Sequence, residues 1–387
     1  MTDESAMRRR RFLSTPLFLP LLPFLPTLAP RHAVGMAAVD YPRVTPGRKI
    51  VLPRDHGAHP AYRIEWWYVT GALNAPQTDV GFQLTFFRYR PGYAEELRSP
   101  LAARQILFAH AALTWPGDRL QHSERSARAN LGGHFSTTDC DVSIGPWRLW
   151  RESAESGTDP ETLPPNRHQQ LNDGFFRLRV QSPSFSFDFT LTPTQALMPQ
   201  GEQGYSRKGD APHQASYYLS WPQLQVSGTL IRHGQALTVD GRAWFDHEWS
   251  TALLADHAVG WDWLGINLDD GGALMAFRLR NAQGETLFAD AAWRDASGRH
   301  RRFTTREIRF APLRHWRSPR SGAVYPLELE IQLGDSTLRT QPVLDDQELN
   351  TRRPTPVVYW EGLVRLAGSL RGRGYLELTG YAQRVPL

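Results

Sequence analysis

Residues 241–249, GRAWFDHEW, place Asp246, His247, Glu248 and Trp249 in consecutive positions, and WDWLGINLDDG follows from Trp261 to Gly271. Two acids, an imidazole and several indoles are the components of proton transfer in an aromatic pocket. A carboxyl group buried among indoles keeps its proton at neutral pH, because desolvation disfavours the carboxylate. Such a group can protonate a weakly basic substrate, and indole faces can stabilise the cation that forms. If residues 243–249 are extended, successive side chains point to opposite faces. Ala243, Phe245, His247 and Trp249 then share one face, and Trp244, Asp246 and Glu248 share the other. The same residues also suit a sheet edge whose charges are solvated.

Other segments add candidates. RIEWWYVTG, at 63–71, puts Glu65 and Trp67 on one face, with Arg63 as the local partner that would make the buried carboxylate tolerable. LFAHAALTW places His110 in an apolar strand, where a hydrogen-bonded core histidine is the plainer reading and a pocket ligand the alternative. Tyr218, in YYLSWPQ, and Trp261 and Trp263, flanking Asp262, are aromatic lining candidates, and Asp262 itself is a candidate second acid on chemical grounds. DHGAHP offers His56 and His59, but in a Gly- and Pro-containing loop a metal site is not expected. Asp246, His247 and Glu248, being consecutive in a strand, cannot converge on one ion without a bulge. A single cysteine, Cys140, excludes an internal disulfide and a Cys-based metal site. There is no G-x-S-x-G elbow and no Gly-rich phosphate loop. No metal and no cofactor are expected.

The elements that must carry these groups read as strands. FSFDFTLT and LELEIQL alternate apolar and polar residues with period two, and no apolar 3.6-residue period runs beyond about three turns. TALLADHA, at 251–258, is the one short-helix candidate. Twenty-nine prolines and thirty-one glycines imply many turns. The fold class is all-β, with antiparallel strands in sandwiches, propellers or barrels. At 387 residues the chain can hold roughly two domains, placed at 45–235 and 236–387. The net charge of +5 is scattered, without a basic helix or zinc-finger spacing, so nucleic acid is not an expected partner. Residues 1–38 read as a signal peptide: an arginine cluster, a proline-broken apolar run and small residues near Ala37 and Ala38. Arg9-Arg10-Arg11-Phe12-Leu13 fits a twin-arginine export signal, which predicts a periplasmic protein.

EWWYVTG, FAHAALT, GRAWFDHEWS, GWDWLGINLDDG and GYLELTGY together resemble the AttH-like proteins, predicted secreted hydrolases related to carotenoid 1,2-hydratase. The resemblance spans most of residues 50–385. It implies two lipocalin-like β-barrels packed together, each of a size to enclose one apolar ligand. In the carotenoid hydratases the matching strand carries Asp-His-x-Trp, here Asp246, His247, Glu248 and Trp249, with the histidine and tryptophan tied to activity. The expected function is acid-catalysed hydration, or a hydrolase-like reaction, on an isoprenoid or other lipid. Asp246, His247, Glu65 and Asp262 are the catalytic candidates; Trp67, His110, Tyr218, Trp249, Trp261 and Trp263 are the lining. The rival expectations are a non-catalytic periplasmic lipid carrier serving inner-membrane transporter components, and a structural role in which the motif clamps the barrels together.

Overall fold

A computed structural model describes residues 39–75, 78–153, 174–252, 254, 257–351 and 357–385. The signal peptide expected over residues 1–38 lies outside them. The first sheet contains β1 (Ile64–Ala75), β2 (Thr78–Tyr89), β3 (Ile106–Thr114), β4 (Gln121–Ala129), β5 (Gly132–Phe135), β6 (Asp141–Ile144) and β7 (Trp147–Glu152). It continues with β8 (Phe175–Gln181), β9 (Phe185–Thr192), β10 (Met198–Pro199), β11 (Tyr205–Arg207), β12 (Ala215–Arg232) and β13 (Gln235–Ala252). The path runs β12-β13-β1-β2 and on in sequence to β9, and β9 pairs back onto β12, so the barrel closes.

The second sheet holds β14 (Gly260–Leu268), β15 (Ala273–Arg280), β16 (Thr286–Arg294), β17 (His300–Thr304), β18 (Ile308–Arg317) and β19 (Val324–Leu333). It is completed by β20 (Ser336–Pro342), β21 (Glu348–Thr351), β22 (Val357–Gly368) and β23 (Gly372–Leu378). Its order is β17-β16-β15-β14-β23-β22-β20-β19-β18, and it curls over its own core as a half-barrel. The all-β, lipocalin-like class is as expected. The second barrel is an open, curled sheet among the described residues.

Period-two patterning explains most of these strands. In β9 every second residue of FSFDFTLT is buried, and β19 repeats the pattern. The domain break expected at 235/236 falls instead inside a hairpin. Arg232 pairs with Gln235 across a two-residue turn, His233 and Gly234, both with positive φ (50° and 75°), the twist that a tight hairpin needs. β13 therefore belongs to the first sheet, and the sheets part after Ala252. Of the expected helix at 251–258, Thr251 and Ala252 close β13, while 253, 255 and 256 lie outside the described residues.

Among the described residues three larger apolar cores result, beside a small cluster of Ala112, Leu349 and Tyr359. One fills the barrel with Phe82, Phe176, Phe187, Phe189 and Trp221, and one fills the concave side of the second sheet around Trp360, Tyr325 and Leu376. The third, with Tyr68, Tyr218, Trp244, Trp263 and Phe277, lies between the sheets.

Candidate active site

The alternation of β13 divides its motif between two environments. Phe245, His247 and Trp249 point into the barrel, while Trp244, Asp246 and Glu248 point out towards the second sheet.

Inside the barrel, His247 joins a buried charge network. Its Nε2 lies 2.9 Å from Glu65 Oε1, and its Nδ1 lies 3.1 Å from the Asp55 carbonyl. His59 bridges two acids, with Nδ1 2.8 Å from Glu65 and Nε2 3.0 Å from Asp55. The partner of Glu65 is Arg88 rather than Arg63: Glu65 and Arg88 face each other across β1 and β2, and Arg88 Nε donates to Glu65 Oε2 at 2.8 Å. Arg63 instead lies over the Tyr89 ring. Burial alone would raise the Glu65 carboxyl, but Arg88, His59 and His247 outweigh it and hold the group well below its usual range. Burial pulls His247 down, against the opposing pull of Glu65. Two indoles wall this network: Trp249 stacks on His59 with centroids 3.7 Å apart, and Trp67 stacks on His247 at 4.9 Å.

His59, Glu65 and His247 offer three ligand atoms within 4.8 Å of one another. Zinc keeps such atoms ~2.1 Å from itself, hence roughly 3.4 Å apart in a tetrahedron. The contacts of 2.8 and 2.9 Å are hydrogen bonds, and Arg88 already neutralises Glu65. The cluster fits a proton-bearing network better than a metal centre.

The outward face of β13 looks into a cavity of about 370 Å³ between the sheets. Its apolar wall comes from Trp66 and Tyr68 on β1, Phe87 on β2, Phe108 on β3, Trp261 and Trp263 on β14, and Phe277 and Leu279 on β15. Four carboxyls enter it: Asp246 and Glu248 from the barrel, Glu361 and Glu377 from neighbouring positions on β22 and β23. Burial pushes Asp246 up to about 7, although three donors pull the other way: Ser220 at 2.5 Å, Tyr218 at 2.7 Å and the Trp244 indole at 2.7 Å. Trp263 Nε1 donates to the Tyr218 oxygen at 2.8 Å, so a Trp263–Tyr218–Asp246 chain spans the two sheets. Burial likewise pushes Glu377 up to about 7, against a 3.1 Å hydrogen bond from Trp261 and with repulsion from Glu248. Burial and the neighbouring Glu377 hold Glu361 well above the usual carboxyl range. Glu248 is bound by Lys208 Nζ at 2.9 Å and by the Ser216 hydroxyl. His110, pushed down to about 3 by burial, lies with Nδ1 2.9 Å from the Tyr359 hydroxyl on the cavity wall.

The structure thus gathers Asp246, His110, Tyr218, Trp261 and Trp263 at the cavity, and Glu65 borders it as well. His247, Trp67 and Trp249 are held within the barrel, where Glu65 also has its partners. Asp262 stands apart. Its side chain takes hydrogen bonds from Arg278 (2.7 Å), Arg280 (2.9 Å) and Tyr381 (2.9 Å) on the opposite side of β14 from Trp261 and Trp263, a closed salt-bridge cluster. The first barrel's interior is filled by its own core, and the apolar cavity lies between the sheets, where a second, more polar pocket around Gln223, Arg242 and Asn267 also sits. Glu361, Glu377 and Lys208 are not singled out in the sequence, and Glu248 enters there only as part of its motif, without a site role of its own. VVYWEGLVRL and GYLELTGY carried a readable signal, an acid inside an otherwise apolar strand, the same signal that marks Glu65.

A closed barrel joined to a curled sheet, with an acid-lined space at the junction, defines a two-module lipocalin-like protein. The chain belongs to the AttH-like family, whose model matches residues 43–381. A crystal structure from Nitrosomonas europaea described as an AttH is 43% identical, covers 88% of this chain and 99% of its own, and superposes with a TM-score of 0.78. Kievitone hydratase from Nectria haematococca shares the fold at 15% identity, with 89% and 96% coverage and a TM-score of 0.62. CghA shares it at 13% identity, with 90% and 98% coverage and a TM-score of 0.51. No functionally curated protein matches the chain.

Proposed function

We propose that this chain is a cofactor-independent enzyme that adds water to, or removes it from, a compact, mainly apolar molecule of the isoprenoid or lipid class. The observation that carries this reading is the convergence of four carboxyls, two of them pushed to about 7, on one aromatic cavity. Groups poised near neutrality can give and take protons at working pH. In the hydration direction, neutral Glu377 passes its proton to one alkene carbon. Water bonds through its oxygen to the adjacent carbon, and the carboxylate of Glu248 takes the proton that this water loses. The faces of Trp66, Trp261 and Trp263 lower the cost of positive charge in between. Exchange of a proton from Glu248 back to Glu377 restores the starting state. That a hydratase is found on the same fold supports the class of reaction by analogy. In this reading the N-terminal signal delivers the enzyme to the periplasm.

The test is incubation of purified protein with lycopene-type and shorter prenyl substrates, reading a mass gain of one water. Glu377→Gln should lower turnover at least about 100-fold, the scale of a general acid, while ligand binding persists. Turnover unaffected by both Glu377→Gln and Glu248→Gln would overturn the proposal. Binding with no turnover in the native protein would favour a carrier.

A further inference from the structure

A hydrocarbon offers nothing to a hydroxyl or an acid, yet the cavity wall holds polar atoms without partners. The Tyr68 hydroxyl and Glu361 Oε1 are both buried and neither completes a well-formed hydrogen bond, although Glu361 lies within electrostatic reach of both Tyr68 and Tyr359. They face the same space, Tyr68 from β1 in the barrel and Glu361 from β22 in the second sheet. Leaving a buried donor or acceptor unmade is costly, so two such groups facing one space are expected to meet a ligand atom. The other polar groups here are already engaged. Tyr218 is taken by Asp246 and Trp263, and Glu248 by Lys208 and Ser216. Lys208 is also packed over two rings, 4.2 Å from the Phe277 centroid and 4.8 Å from that of Tyr218.

We infer that the ligand carries an oxygen, a carbonyl or hydroxyl on an otherwise apolar body, and that Tyr68 and Glu361 clasp it. This rests on the reading of the cavity as the ligand site, and it narrows the substrate from hydrocarbon to oxygenated compound. Tyr68 donates its O–H to that oxygen. Glu361, its carboxyl held well above the usual range by burial and by Glu377, donates a second hydrogen bond to a carbonyl or accepts one from a hydroxyl. The two groups belong to different sheets, so the oxygen is gripped across the junction and its position fixes the reactive carbon against Glu377.

Two matched pairs test it without turnover: chalcone against diphenylpropene, and farnesal against farnesene. In each pair one skeleton appears with and without its oxygen, and binding is read by quenching of tryptophan fluorescence. The oxygenated member of at least one pair should bind about tenfold tighter or more to the native protein. Tyr68→Phe and Glu361→Gln should each shrink that ratio, leaving the hydrocarbon unchanged. Equal binding within both pairs, or a ratio that survives both variants, overturns the inference while leaving the cavity as ligand site. No binding of any of the four overturns both. Should one variant fail to fold, the ratio on native protein and the remaining variant still decide.

Discussion

Single side chains in this protein are tuned in opposite senses on the two sides of the barrel wall. Glu65, inside the barrel, is held well below its ordinary range, whereas Glu377, in the cavity, is pushed from an ordinary value near 4.5 up to about 7. For Glu377 the sign is clear. Between those two values the unfolded chain releases a proton that the folded chain retains, so this group withdraws stability as pH rises from about 4.5 to about 7 and adds no further change above. At about 1.4 kcal/mol per pH unit the withdrawal is on the order of 3 kcal/mol. Glu377→Gln never ionises and escapes it. The free energy of unfolding of the variant relative to wild type, from urea titrations, should therefore climb between pH 4 and 7 and level off by pH 8; a difference that is flat with pH would refute the assignment. Legibility at this scale follows local context. Asp246 announced itself through its aromatic neighbours, as did Trp261 and Trp263. Lys208 lies in the polar stretch PQGEQGYSRKGDAPHQ, which reads as a loop, and only the fold brings it to Glu248.

At the scale of elements, a β-bulge does what straight pairing cannot. The register of β12 against β13 slips between Trp221 and Leu224, and Gln223 there adopts a φ of 55°. The slip turns Gln223 out of the barrel and into the second sheet, where its backbone N–H donates to Asn267 Oδ1 at 2.7 Å. Its side-chain amide donates to the carbonyls of Leu268 (2.9 Å) and Gly272 (2.7 Å). Gln223→Ala removes these two hydrogen bonds, although each carbonyl keeps a backbone donor, Gly271 N–H for Leu268 and Leu268 N–H for Gly272, so at about 0.5–1.5 kcal/mol per bond it should cost about 1–3 kcal/mol in urea unfolding. A loss below about 0.5 kcal/mol, the size of an ordinary surface change, would show that the bulge is no tether. Alternation along β13 was readable from the sequence because period two needs only the strand itself. The place where the sheets part was not, since the hairpin at His233 and Gly234 and the continuation of β13 to Ala252 depend on pairing with β1, far away in the chain.

Across the whole molecule, the junction is as much a core as either module. Gly81 and Gly265 show how closely the parts approach. A Cβ on Gly81 would lie 2.6 Å from the Tyr375 hydroxyl and 2.9 Å from Leu363 of the second sheet, and one on Gly265 would lie 3.3 Å from the Trp244 ring of the first. Buried hydrogen bonds cross at His110–Tyr359 and Thr114–Gln347, Trp263 donates to Tyr218, and Arg373 reaches Asp79 at 2.6 Å. A cavity whose acids come half from each sheet exists only while this junction holds, and neither half can leave without exposing its share of the third core to water. Interfaces between independent domains are more polar and let the partners move or melt separately. Here the two sheets should unfold together: far-ultraviolet circular dichroism and tryptophan fluorescence should trace one coincident transition in urea. An oxygenated ligand that binds the cavity should move both traces to higher urea by the same amount, because it stabilises only the joined state. Two resolved transitions, with ligand shifting just one, would mean that a single module carries the site and that the junction only shelters it.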